Sequence, residues 1–140
     1  GFVEAFKLAE KLKFKENKRL TNLRNYFIKN IIKSIPDCRL NGHPAKRLPN
    51  NVNVSIKGIE GESLVLMLDK YGIFASTGSA CSASDLEPSH VISAIDISPE
   101  LSHSNIRFTL GRKTTKKDID YVLKILPQAV KKLKTASSLR

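Results

Sequence analysis

Cys81 lies in the run Ala75-Ser-Thr-Gly-Ser-Ala-Cys-Ser-Ala-Ser-Asp-Leu-Glu-Pro-Ser-His90, a thiol among small and polar residues. Buried structural cysteines sit among Leu, Ile and Val, whereas Ala80 and Ser82 flank this one and Gly78 precedes it by three positions. Such a segment reads as an accessible, mobile loop, and a reactive thiol needs both properties. The chemistry it offers is nucleophilic. A thiolate attacks soft centres such as sulfur far better than a neutral thiol does, given a lowered pKa, substrate assistance or a nearby base. His90 and His103 are the candidate proton carriers, with His43 a more remote one. Cys38, which follows Pro36-Asp37, reads as structurally incidental, and the two cysteines make no metal-ligand spacing.

A second candidate is Arg107 in Ile106-Arg-Phe-Thr-Leu-Gly-Arg112. Ile106, Phe108 and Leu110 alternate with Arg107 and Thr109, which predicts a strand with one buried face and puts Arg107 on the other. A guanidinium there presents a planar, permanently charged fork that matches two carboxylate oxygens. The plainer reading is a surface arginine on an exposed sheet face. For Arg112, bonding to backbone carbonyls is the expectation. Gly58 and Gly61 bracket Glu60 as turn-formers, Gly78 gives its loop freedom, and Asn53 falls on a strand where it can satisfy backbone groups.

These residues need elements to hold them. Phe2, Phe6, Ala9, Leu20, Leu23, Phe27 and Ile31 recur at helical spacing, predicting one long helix or two joined near residues 15–17, ended by Pro36. Residues 39–49 read as a turn-rich connection. Val52, Val54 and Ile56 predict a first strand, Leu64 to Leu68 a short helix, Ile73 to Ser76 a second strand, Ser89 to Ile95 a helix, and Asn105 to Leu110 a third strand. Thr115-Lys-Lys-Asp118 reads as a capping box for a last helix with its apolar stripe at Ile119, Val122, Leu123, Leu126, Val130 and Leu133, bent or split at Pro127. The expected class is α+β, three strands covered by helices: a leading helical segment at 1–35, a small domain at 36–134 with the cysteine loop at 76–88, and a basic tail at 135–140.

Gly78-Ser-Ala-Cys81, Leu86-Glu-Pro-Ser-His90, Gly58-Ile-Glu-Gly-Glu-Ser63 and the Arg107 strand, in that set of spacings, resemble the C-terminal part of the cysteine desulfurases, pyridoxal-phosphate enzymes of the class V aminotransferase type. The long cysteine run resembles the branch with an extended loop. The resemblance implies a small C-terminal domain as in fold-type I pyridoxal-phosphate enzymes. It implies that Cys81 takes sulfur from L-cysteine as a persulfide, leaving L-alanine, and passes it to an iron-sulfur scaffold or another acceptor protein. It further implies that Arg107 holds the substrate carboxylate, that Cys81 is a possible transient iron-sulfur cluster ligand shared with a scaffold, and that the complete enzyme is a cytoplasmic homodimer. The chain departs from the family pattern: the pyridoxal-phosphate lysine follows a histidine there, and no His-Lys pair occurs here, nor do the family's large-domain phosphate-binding residues, the aspartate facing the pyridine nitrogen or the histidine that stacks on the ring. No cofactor-binding residue is therefore expected in this chain. Its lack of an initiating Met also reads as a fragment, inactive as a desulfurase by itself.

Composition bounds the alternatives. At 140 residues, with 41% hydrophobic and 6% aromatic residues and no Trp, the chain predicts one aliphatic core. No apolar run approaches the roughly 20 residues that span a bilayer, so no membrane role is expected. The net charge of +11, concentrated at residues 11–19 and 113–134, fits solvated helix faces or an acidic protein partner. Nucleic acid is the sharper reading of such charge, but no aromatic residues are interleaved for base stacking and no zinc-finger or RNA-recognition signature appears. Beside the desulfurase reading stand a stand-alone persulfide carrier or scaffold-binding module, and a basic nucleic-acid-binding domain.

Overall fold

Pro36 stops the first helix where its ring disfavours a helical conformation at Ile35. In the computed structural model, which describes residues 1–77, 91, 94, 95 and 99–137, α1 runs unbroken over Phe2–Ser34, and Ile35 takes an extended conformation (φ −130°, ψ 99°). The two-helix alternative is thereby excluded. Only the second half of α1 joins the core, through Leu20, Phe27 and Ile31. Phe2, Phe6 and Phe14 in the first half stand exposed.

Three strands follow in an antiparallel sheet of order β1-β2-β3: β1 over Cys38–Leu40, β2 over Asn51–Ile56 and β3 over Asn105–Thr109. β1 starts at Cys38, and its last two residues, Arg39 and Leu40, fall within the stretch 39–49 expected as a turn-rich connection. The segment from Ile73, expected as a strand, makes only one isolated bridge, Ser76 to Arg107. Its start is drawn elsewhere, since the Ile73 N–H donates to Leu68 O at 3.1 Å.

Helix α2 spans Gly61–Asp69, α3 is the short turn Pro99–Ser102, and α4 spans Lys116–Ser137, three residues beyond Lys134. Thr115 and Asp118 cap α4 reciprocally: the Asp118 carboxylate accepts from the Thr115 N–H and hydroxyl at 2.8 Å each. α4 continues through Pro127 as one helix. The helix expected at 89–95 lies mostly outside the described residues. No helix among the described residues is long and apolar enough to cross a membrane.

Helices cover one face of the sheet. Val52, Val54 and Ile56 of β2 and Ile106 and Phe108 of β3 meet Phe27, Ile31, Leu64, Leu68, Ile119 and Leu126, and Phe27 packs edge-on to Phe108 with ring centroids 5.2 Å apart. Two arginines of α1 fasten the connections. Arg19 donates to the carbonyls of Gly111, Arg112 and Thr114 at 2.7–3.1 Å, and buried Arg24 donates to those of Arg47 and Leu48. The carbonyl-bonding role expected of Arg112 thus belongs to Arg19, with Arg112 supplying one of the acceptors.

Candidate functional site on the open face of the sheet

The other face of the sheet is polar because the alternation that buries valine and isoleucine turns Asn51, Asn53 and Ser55 of β2 and Asn105, Arg107 and Thr109 of β3 the opposite way. Arg107 is half-buried and stands directly opposite Asn53 in the antiparallel register. On its other side it exchanges backbone bonds with Ser76, so Arg107 is flanked by β2 and by the segment that leads toward Cys81.

A buried chain of hydrogen bonds runs across this face. Ser55 Oγ donates to Leu101 O at 3.2 Å, and Asn41 Nδ2 donates to Ser55 Oγ at 2.9 Å and to Asn53 Oδ1 at 2.5 Å. Ser55 is fully buried and Asn41 nearly so. Neither was singled out by sequence reasoning. Ser55 alternates visibly with Val54 and Ile56, but Asn41 sits in an Asn-Gly pair that reads as a turn, and only strand pairing brings it to β2.

The two ends of the segment containing Cys81 meet at Gly61. Its N–H donates to His103 O at 2.9 Å. A Cβ on Gly61 would lie 2.5 Å from Asn105 O, 3.1 Å from His103 O and 3.0 Å from Thr77 Cγ2. Gly61 is therefore a close-approach glycine where a turn-former was expected. Gly58 does hold the left-handed backbone of a turn, with φ +79°.

The remaining candidates separate. Cys81, His90 and Gly78 lie outside the described residues. His103 is exposed, and its backbone carbonyl carries the contact to Gly61. His43 Nδ1 accepts from the Ala45 and Lys46 N–H groups, closing a local turn. Cys38 opens β1, and burial pushes its thiol up to about 12, which leaves it neutral and unreactive at ordinary pH. A cleft of about 440 Å3 beside Ile73, Phe74 and Tyr121 is lined by Phe108, Thr109 and Leu110 rather than by Arg107.

Among the described residues no three His, Cys, Asp or Glu side chains gather as a metal site. Nor do they fit pyridoxal phosphate. The open face around Arg107 is built from asparagine, serine and threonine and offers no lysine, while Lys116 is committed to Asp120 and Tyr26, and Lys134 to Asp37. The three histidines precede Pro44, Val91 and Ser104, never lysine.

Comparison with known proteins accords with this arrangement. The aminotransferase class-V family profile matches residues 1–122. A cysteine desulfurase IscS of Dictyoglomus turgidum is 53% identical over 137 residues, covering 98% of this chain and 35% of the relative. One of Methanosarcina thermophila is 48% identical over 139 residues, covering 99% and 34%. The chain thus spans about a third of the length of the curated relatives it matches. Among solved structures, a NifS-like protein superposes with a TM-score of 0.79 at 24% identity, over 93% of this chain and 32% of that one. A NifS-like protein from Rickettsia africae gives 0.67 at 20% identity over 82% and 29%, and both share the fold. With more than half of its length matched by the family profile and its α+β fold matched by these structures, the chain belongs to the aminotransferase class-V family.

Proposed function

We propose that this chain is the sulfur-accepting and carboxylate-binding portion of a cysteine desulfurase, with Cys81 as persulfide carrier and Arg107 as the residue that holds the substrate carboxylate. The observation that carries it is 53% identity to the Dictyoglomus cysteine desulfurase across 98% of the chain. The polar face at Arg107 and its backbone bonds to the segment entering Cys81 support the same reading.

In this reading the Cys81 thiolate attacks the sulfur of L-cysteine. A sulfur–sulfur bond forms, the substrate's carbon–sulfur bond breaks with its electron pair going to carbon, and that carbon takes a proton to give L-alanine. The chain's own part is to hold the carboxylate and receive the sulfur. Pyridoxal phosphate belongs to the rest of the enzyme, since these residues do not hold it. The complete protein is then a cytoplasmic homodimer that hands its persulfide sulfur to an iron-sulfur scaffold or another acceptor.

The test is made in the complete enzyme. Mass spectrometry after incubation with L-cysteine should find the added sulfur on Cys81 and lose it in Cys81→Ser, while Cys38→Ser retains it. Arg107→Ala should raise the KM for L-cysteine about tenfold or more. Full sulfur transfer by Cys81→Ser would overturn the reading. The 140-residue chain alone should fold yet release no alanine.

A further inference from the structure

We propose that Asn53 is a second carboxylate contact beside Arg107, its amide turned toward the substrate by the buried relay through Asn41 and Ser55. The inference rests on the proposed role of Arg107. Asn53 and Arg107 are direct partners across β2 and β3, so their side chains leave the same face about 5 Å apart at Cβ.

What distinguishes Asn53 from an ordinary strand asparagine is that its amide oxygen is already engaged, by the Asn41 NH2. Ser55 has a single hydroxyl hydrogen, and Leu101 O at 3.2 Å, which also accepts from the Ser104 N–H and hydroxyl, is the acceptor within its reach. With its hydrogen on Leu101 O, Ser55 accepts from the Asn41 NH2. The second hydrogen of the same NH2 goes to Asn53 Oδ1. Asn41 Oδ1 is left buried without a partner. With Ser55 and Asn53 held as they are, turning the Asn41 amide over would lose both of its hydrogen bonds and bury an NH2 group with two unmet donors.

With its oxygen drawn to Asn41 on the β1 side, Asn53 is left with its NH2 arm on the side away from β1. That arm has no protein acceptor among the described residues, and Asn53 is only half-buried, so a ligand can reach it. A donor NH2 beside a guanidinium is suited to a carboxylate, which accepts at both oxygens. An amide free to present its oxygen would repel the same group.

The test compares Asn53→Ser and Asn53→Asp with Arg107→Ala in the complete enzyme, using L-cysteine and its methyl ester, each variant first checked for an unchanged melting transition. Asn53→Ser should raise the KM for L-cysteine about tenfold and Asn53→Asp further, with kcat changing much less. With the methyl ester, whose carboxyl group is uncharged, the gap between Asn53→Asp and wild type should shrink to less than about twofold, which a merely structural defect would not produce. Ser55→Ala, which removes the relay and leaves Asn53 in place, should raise KM by about threefold and supplies the measurement if the Asn53 variants do not fold. An unchanged KM in the Asn53 variants alongside a raised KM in Arg107→Ala overturns the inference. An unchanged KM in Arg107→Ala as well overturns the carboxylate site itself.

Discussion

Ser76 and Arg107 exchange both of their backbone hydrogen bonds, the Arg107 N–H to Ser76 O at 2.7 Å and the Ser76 N–H to Arg107 O at 3.1 Å. The residue proposed to hold the substrate is thereby joined to a residue five positions before the proposed persulfide carrier. Covalent reach alone keeps Cα81 within about 18 Å of Cα76. Ser76→Pro removes one of the two bonds and is expected to destabilise the fold by about 1–3 kcal/mol. Ser76→Ala leaves both bonds in place and should lie within about 0.5 kcal/mol of wild type. Urea denaturation of the two variants checks the difference.

Gly61→Ala is expected to destabilise even though alanine favours helix by about 1 kcal/mol over glycine. The added methyl would sit 2.5 Å from a main-chain oxygen of β3, which cannot swing aside as a side chain can. Overpacking of this kind costs about 1–3 kcal/mol or more, so the net change should be a clear loss in a thermal melt. A more stable variant would show that Asn105 and Thr77 yield freely.

Cys38 should resist alkylation in the folded protein near neutral pH and react only on unfolding, as followed by mass spectrometry with iodoacetamide. Its thiol is raised from 9.0 to about 12 by burial, so the folded state binds the proton more tightly than the unfolded chain. The resulting stability is fully present below pH 9.0 and is lost as pH rises through about 12. Rapid native-state labelling at pH 7 would contradict the burial.

Asp118→Asn should lower the melting temperature at neutral pH by weakening the cap on α4. The Thr115 N–H and hydroxyl hold the Asp118 carboxyl below its ordinary 3.8, and the stability this confers exists above that pH and fades as pH falls through the lowered value. The gap between wild type and Asp118→Asn should therefore close on acidification. A gap that persists unchanged in strong acid would assign the effect to packing.

How far the sequence discloses this arrangement depends on how local each feature is. Pro36 as a stop, the alternation around Arg107 and the Thr115–Asp118 cap are written within a few neighbouring residues, and the structure shows each of them. β1 is three residues long, too short to display alternation, and exists through pairing with residues 54–56. Ile73 to Ser76 has the composition of a strand, yet the turn at Leu68 claims its first N–H and leaves a single bridge. Asn41 and Ser55 form a relay only after β1 and β2 are side by side. Arg19 reads as one of many exposed lysines and arginines on α1 until the Gly111–Thr114 turn is folded beneath it.

The junction at Gly61 separates two demands on the polypeptide. Thr77 and His103 are held at one point, so the excursion between them begins and ends at the same place whatever its length. Loop-closure entropy grows only logarithmically, and doubling a flexible connection costs about 0.6 kcal/mol. Evolution or an engineer can accordingly lengthen or shorten the connection between Thr77 and His103 while the sheet and its helices keep nearly the same stability.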